Sequence, residues 1–335
     1  MMDLLQAVPF WYVYHINLLF LVFAPIGGFQ SVSKSFEALA ISLGVDIQCN
    51  KTVTGINETH VTYMTCNADK GDDTIVYHSQ PSDLTIVNAD LPYATQTLLQ
   101  SDTTITTNNK SLKKEDVLKF DWDDTYDYSS GVVAFHWCIK DRGLAKNNIL
   151  KTHNVFLIAK DDDSARESWN VVRTNVDDTS CYKKGIFNFY VHCPTVTDPT
   201  AAPPNCDSIT ILVPCPTIQR NKDYHTSKYN KQEVLQKYKE EQFPETLIDE
   251  IRSSVLQRLS VLNGLEDLQQ HIVHEVVDTP VSYSNSYNLA AGTPFGLVSI
   301  LFTKRKRLIM LYFSLWSFLS QIPIFCNNTK TESWF

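Results

Sequence analysis

The sequence lacks the short motifs by which several enzyme classes are recognised. Its 335 residues contain no GxSxG, no P-loop, no HExxH and no GxGxxG. Their absence removes the usual signs of a serine hydrolase, a nucleoside triphosphatase, a zinc peptidase and a dinucleotide-binding turn. Residue types and spacings alone therefore select no catalytic side chain, and they leave the catalytic residues unknown.

The chain also lacks the surface signature of a nucleic-acid-binding protein. Its formal net charge is -8, and no basic stripe is interleaved with aromatic residues. A phosphate backbone needs such a cationic surface, so we expect no nucleic acid partner. Hydrophobic residues make up 43% and charged residues 20%, which is a globular composition. The length is enough for a sizeable core and favours two domains.

No CxxC pair occurs among the eight cysteines. A chain of this length does not need disulfides, and Cys138, Cys193 and Cys215 lie in or beside apolar runs, where a free thiol acts as a small hydrophobe. We therefore expect reduced thiols. Four N-glycosylation sequons keep a secreted, disulfide-bonded alternative open; they begin at Asn50, Asn57, Asn109 and Asn327.

The histidines give no metal-binding pattern. His271 and His274 lie three residues apart in a predicted strand, where such residues face opposite sides of a sheet. They could not share one ion, so we expect no metal site. His136, between Phe135 and Trp137, is expected to be a half-buried strand residue whose hydrogen bonds are satisfied.

Long apolar runs are confined to the two ends, at 8–24 and 308–326. The first resembles a signal peptide in length but has no Lys or Arg in front of it. The second follows the basic cluster 304–307 and has the length of a tail anchor, although Pro323 interrupts it. A third interpretation is that neither end belongs to the ancestral protein.

Between the ends, the hydrophobic periodicity predicts a mixed α+β or α/β architecture. The predicted strands cover 45–49, 52–56, 60–66, 74–78, 84–88, 131–139, 153–159, 186–193, 208–213 and 271–277. Helices are predicted between Ser31 and Gly44, over 161–173, and over 231–263, where Pro244 splits the helical stretch in two. The polar stretch 101–127 is predicted to be a loop with a surface helix.

Six distinctive strings follow one another along the chain. They are the segment 25–56 that opens with PIGG, TIVNADLPYA at 85–94, YDYSSGVVAFHWCI at 126–139, HNVFLIAKDDDSARESWNVV at 153–172, FYVHCPTVTDPTAAPPNCDSITILVPC at 189–215, and HIVHEVVDTPVSYSNSYNLAAGTPFGL at 271–297. In order and spacing they resemble bacterial and fungal-type phytoene desaturases, the carotene desaturase branch of the FAD-dependent amine oxidase superfamily. The string at 189–215 is the most specific match, and its Asp-Pro-x-Ala-Ala-Pro part at 198–203 resembles the carotene desaturase branch in particular.

The resemblance implies a fragment of a flavin-dependent oxidoreductase fold. It divides the chain into an apolar segment (1–24), part of an FAD-binding domain (25–97), a substrate-binding domain with a mixed or antiparallel sheet and helices (98–298), and a second apolar segment (299–335). The family's Gly-rich turn for the FAD pyrophosphate and its closing flavin block have no counterpart here. His192 and Thr200 also replace the family's Asn and Ser. We therefore expect an incomplete, inactive copy.

The family's chemistry is FAD-dependent dehydrogenation of a C40 polyene, phytoene or a related carotene, drawn from a membrane surface into an apolar tunnel. By motif matching, the backbone of Val53 would meet the adenine of FAD, and Asn88 and Ala89 would end the neighbouring strand. The runs 131–139, 153–159 and 186–193 would supply tunnel walls or ordinary sheet core. The resemblance implies a membrane-associated protein on the cytoplasmic side. The alternative function is a non-enzymatic, membrane-anchored or secreted glycoprotein.

Overall fold

The computed structural model describes residues 25–67, 74–99, 104–107, 110–113, 127–141, 143–147, 149–150, 152–174, 179–218 and 231–298. Both ends of the chain lie outside this part, so the interpretations of 1–24 and 299–335 stay predictions. The proposed division at residue 97 also stays a prediction.

A five-stranded antiparallel sheet organises the larger part of the described chain. Its strands are β7 (Gly131–Lys140), β8 (Asn154–Leu157), β9 (Phe189–His192), β10 (Cys206–Cys215) and β11 (Ile272–Asp278). Their order across the sheet is β11-β7-β10-β9-β8. The predicted sheet containing 131–139, 186–193 and 208–213 is thereby confirmed, because these three segments share one sheet.

Helices cover one side of this sheet. They are α3 (Asp162–Thr174), α4 (Ser180–Lys183), α5 (Lys231–Lys237), α6 (Glu245–Leu259) and α7 (Leu268–His271). Pro244 separates α5, with its π-helical extension Tyr238–Gln242, from α6, as the sequence predicts. The apolar stripe of α6 is buried, with Ile251 and Val255 fully inaccessible to solvent. This side of the sheet is therefore the main hydrophobic core.

The core follows from alternation along the central strands. Val133, Phe135, Trp137 and Ile139 of β7 all point inward and are fully buried. Successive side chains of a strand face opposite sides, so these odd-numbered residues share one face. At the edge of the core, Glu275 accepts hydrogen bonds from the indole of Trp137 and from Arg252.

A smaller sheet precedes this core in the chain. It consists of β1 (Thr52–Ile56), β2 (His60–Asn67) and β3 (Thr74–Pro81), paired antiparallel in that order. A short helix, α2 (Leu91–Tyr93), and the π-helical turn Ala94–Leu98 pack beside β1. Together they bury a separate small cluster formed by Ile56, Ala94, Leu98 and Leu99.

Two strands predicted from the sequence do not form. Residues 45–49 and 84–88 are not paired into any sheet of the described chain. Their alternating pattern is suitable for a strand, but a strand also needs a neighbour to complete its ladder. Apolar side chains here stay exposed, as do several on helix α1 (Gly28–Ser42), which has no buried residue.

Other segments were predicted incompletely. In 101–127, the described residues include β4 (Thr104–Thr107) and β5 (Lys110–Lys113), which pair as an antiparallel hairpin. Helix α8 (Pro280–Tyr287) was missed, although Thr279 and Ser282 form a capping box at its start. β6 (Asp127–Tyr128) and β12 (Leu297–Val298) form a short pair that was also not predicted.

Seven cysteines lie in the described part of the chain, and all seven are free thiols, as expected for a reduced protein; Cys326 lies outside it. Within the same residues, no helix is both long and apolar enough to span a bilayer.

Truncating Ile251 to Ala should lower the free energy of unfolding by about 2–5 kcal/mol, because it leaves a cavity in the core beneath the sheet. Urea unfolding followed by far-ultraviolet circular dichroism measures the change. The control is Val261→Ala, since Val261 is 79% exposed and its truncation should cost less than about 0.5 kcal/mol. Equal losses in the two variants would contradict the assignment of α6 to the core.

Candidate functional site: the open face of the five-stranded sheet

The side of the five-stranded sheet that faces away from the core is only partly covered. Residues directly opposite each other in an antiparallel sheet point to the same side, so the register shows which side chains share this face. We call it the open face. It includes Asn154 and Phe156 of β8, Tyr190 and His192 of β9, Ser208, Thr210 and Leu212 of β10, Ala134, His136 and Cys138 of β7, and His274, Val276 and Asp278 of β11.

His136 lies near the centre of the open face, and both of its ring nitrogens have partners. Nδ1 is 3.2 Å from the hydroxyl of Thr210, and Nε2 is 3.4 Å from a carboxylate oxygen of Asp278. Asp278 also accepts a 2.9 Å hydrogen bond from Ser282 at the start of α8. The hydrogen bond from His136 is the main reason that the pKa of Asp278 is lowered. This arrangement confirms the expectation of a half-buried, satisfied histidine.

A second polar group lies at the β8–β9 edge of the open face. The hydroxyl of Tyr190 donates a 2.5 Å hydrogen bond to Asn154, and His192 Nδ1 lies 3.1 Å from the same hydroxyl. The ring of His153 meets that of His192 edge to face, with centroids 4.3 Å apart. Burial, and secondarily the neighbouring His153, lowers the pKa of His192 to about 4. His192 is therefore neutral at physiological pH.

The thiol of Cys138 on the open face is not suited to nucleophilic chemistry. Burial, followed by a hydrogen bond with Cys206, raises the pKa of Cys138 to about 11. The thiolate is the reactive form of cysteine, so Cys138 is protonated and unreactive at neutral pH. In the residues that the structure describes, no three His, Cys, Asp or Glu side chains converge on a possible metal site. His271 ends helix α7 rather than lying in β11 with His274, which corrects the predicted strand start.

The three residues predicted to contact FAD lie in the smaller part of the fold. Val53 is half-buried in β1, opposite Tyr63, and packs against the Ile56 cluster. Asn88 and Ala89 are exposed in the extended segment before α2, and they do not end a strand. The described chain shows no hydrogen bond from Val53 to either of them. Their role at the cofactor stays a prediction.

The described residues do not form a site for the FAD pyrophosphate. Such a site needs free backbone N–H groups at a Gly-rich helix start. The Gly-rich start of α1 is engaged instead, because the N–H of Gly27 donates a 2.6 Å hydrogen bond to the carboxylate of Asp198. That negative charge would repel a phosphate. The start of α1 is therefore not suited to the pyrophosphate of the cofactor that the sequence resemblance implies.

The sequence predicts the strands of the open face but not which side chains they bring together. His192 was noted only as a departure from the family pattern, and Tyr190, Asn154 and Thr210 were not singled out. The alternation along β9 and β10 was the available signal. It separates the two faces of each strand, but the register that aligns neighbouring strands comes only from the structure.

Over most of its length the chain is similar to curated carotenoid enzymes. It is 29% identical over 283 residues to the phytoene desaturase of Neurospora crassa. It is 28% identical over 282 residues to that of Phycomyces blakesleeanus, and 26% identical over 277 residues to the 4,4'-diapolycopene oxygenase of a Methylomonas species. Each match covers 82% of this chain and 40–44% of the relative. No protein-family model matches the chain.

The chain is thus similar to carotene desaturases over most of its length. It spans about two fifths of the length of the curated relatives that it matches. Helices combined with antiparallel sheets are consistent with part of a flavin oxidoreductase fold.

The stability of the wild-type protein should fall more steeply with acid than that of His192→Asn. Histidine has an ordinary pKa of 6.5, and the folded value for His192 is about 4. Between these values the unfolded chain takes up a proton that the folded chain does not, so protonation favours unfolding as the pH falls. Urea unfolding at pH 7 and pH 5 measures the two losses.

The control for this prediction is His60→Asn, which changes a histidine on the three-stranded sheet. This variant should lose as much stability between pH 7 and pH 5 as the wild type does. An unchanged loss in His192→Asn would show that burial of His192 has no effect on the acid stability of the fold.

Proposed function

We propose that this chain provides the substrate-binding part of a phytoene desaturase-like oxidoreductase of carotenoid biosynthesis, which carries out FAD-dependent dehydrogenation of a C40 polyene. The observation that carries the proposal is the open face. It is a side of the five-stranded sheet that is only partly covered, and it lies within the part of the chain that matches the relatives.

The open face is suited to an apolar ligand that must be held in one orientation. Phe156, Leu212 and Val276 offer apolar contacts, while His136 and Tyr190 have their polar atoms occupied by neighbours on the same sheet. The polar atoms of these side chains are already hydrogen-bonded. A hydrocarbon can therefore cover them without leaving a buried polar group that lacks a partner. Binding sites of this kind combine apolar walls with few, fixed polar groups.

A further part of the proposal concerns location. A C40 hydrocarbon dissolves only in a membrane, so the protein would act at a membrane surface and on its cytoplasmic side. The basic cluster 304–307, directly before the apolar run 308–326, is suited to that side.

The secreted or membrane-anchored glycoprotein that the sequence left open receives no support. Seven described cysteines are free thiols, and the curated relatives carry the names of carotenoid enzymes. Nucleic acid is not part of the proposal, in keeping with the net charge of -8.

The purified 335-residue chain should not retain FAD, and without the cofactor it should not dehydrogenate phytoene. The physical reason is that, at the Gly-rich helix start of the described part, the carboxylate of Asp198 already accepts the N–H of Gly27, and its negative charge would repel the pyrophosphate. Flavin absorbance after gel filtration in the presence of FAD measures retention. Stoichiometric flavin in the protein peak would contradict this expectation.

Phytoene in liposomes should bind the chain, and Phe156→Asp should weaken that binding roughly tenfold. Phe156 is 46% exposed on the open face, and loss of its burial against a hydrocarbon would cost about 1–2 kcal/mol. Recovery of phytoene with the affinity-purified protein measures binding.

The matched control is Val261→Asp, which places the same charge at an exposed apolar position after α6. It should bind phytoene as the wild type does. Equal weakening in both variants, or equal binding of phytoene and a saturated hydrocarbon of similar length by the wild type, would contradict the assignment of the open face to the substrate.

A further inference from the structure

Asp198 is a buried acidic residue in an exposed loop. It lies between β9 and β10, and its residue exposure is only 8%, whereas Thr197, Pro199 and Thr200 around it are all exposed. A buried carboxylate is costly unless donors satisfy it. The groups that donate hydrogen bonds to the Asp198 carboxylate therefore indicate its structural role.

The two oxygens of Asp198 have different partners. Oδ1 accepts hydrogen bonds from the backbone N–H of Thr200 at 2.9 Å and from its hydroxyl at 2.6 Å. These bonds cap the 3-10 turn Pro199–Ala201. Oδ2 accepts a 2.6 Å bond from the backbone N–H of Gly27, which is 171 positions away in the chain. Capping of the local turn explains the contacts of Oδ1 but not the contact of Oδ2 with Gly27.

The turn at Gly27 is shaped to present this N–H group. Gly28 N donates to Pro25 O at 3.0 Å, and Gly27 has φ 81° and ψ 13°. These angles match the second central position of a type II turn, which favours glycine. The N–H of that position is not used by the turn's own hydrogen bond, so it is free to bind the carboxylate.

We infer that Asp198 is a positioning residue that fixes the start of helix α1 to the β9–β10 loop. The same loop is tied to the open face, because Thr197 lies 2.6 Å from His153 Nδ1, and His153 contacts His192. Asp198 therefore places the part predicted to belong to the FAD domain at the β8–β9 edge of the open face. This consequence rests on the proposed function, whereas the contact itself does not.

Asp198→Asn separates the two roles of the carboxylate, which are to cap the local turn and to bind the N–H of Gly27. The remaining amide oxygen can still accept the bonds from Thr200, but the NH₂ group then faces the N–H of Gly27, and two donors cannot bond. We expect the Gly27 amide to exchange with solvent at least about tenfold faster, since a charge-assisted hydrogen bond is lost. The chain has 11 glycines, so selective ¹⁵N-glycine labelling gives a small set of amide signals. The signal that disappears in Gly27→Ala identifies Gly27.

Two controls distinguish this contact from a general loss of stability. Thr200→Val removes one donor to Oδ1 and should leave the Gly27 amide protected. Asp207→Asn alters another buried carboxylate, which accepts bonds from the N–H of Leu144 at 2.6 Å and the hydroxyl of Thr195 at 2.8 Å. It should lower the melting temperature without exposing Gly27 selectively.

The inference is overturned if the Gly27 amide of the folded wild type exchanges as fast as an exposed glycine, or if Asp198→Asn leaves its exchange unchanged. Should Asp198→Asn fail to fold, the wild-type protection and the Thr200→Val result still decide the question, because both concern folded protein. Neither FAD nor phytoene enters the measurement, so a failure of the proposed function would not alter its outcome.

Discussion

The antiparallel pairing of β7 with β10 is the interaction on which the larger part of the fold depends. The two strands are in register over ten pairs, from Gly131 opposite Cys215 to Lys140 opposite Cys206. β11 attaches to one side of this pair and β9 to the other, so the order of the whole sheet follows from it. Gly131 permits the close approach at one end, since a Cβ there would lie 2.6 Å from the carbonyl oxygen of Pro216.

The same pairing produces two chemically different faces. One face carries the fully buried residues of β7 and β10 and is covered by α6, and Arg258 of that helix donates to the carbonyl groups of Phe187 and Ile158. The other face carries histidine, tyrosine and threonine side chains whose polar atoms pair with one another. A single alternating pattern thus supplies both the stability of the domain and the surface proposed to meet the substrate.

The sequence predicted this central architecture because the signals there are local and strong. β-branched and aromatic runs identified β7 and β10, and Pro244 marked the division between α5 and α6. The failures have a different cause. Residues 45–49 and 84–88 have the pattern of strands, but a strand forms only where a partner completes its hydrogen bonds, and the described chain offers them none. Hydrophobic periodicity identifies a strand-like segment but cannot identify the strand with which it would pair.

The candidate site could be predicted less completely than the central sheet, for a related reason. Residues such as His192 and Asn154 are far apart in sequence and meet only through the register of β8 with β9. The resemblance to carotene desaturases agrees with the curated relatives, yet its most specific string carries structural rather than reactive groups. Asp198 and Asp207 both lie within that string, and each carboxylate is satisfied by donors from distant segments. Asp198 reaches the start of α1 and Asp207 reaches the loop after β7, so the string links three parts of the chain. A signature of this kind identifies a family because its residues align the parts of the fold, even where none of them takes part in the chemistry.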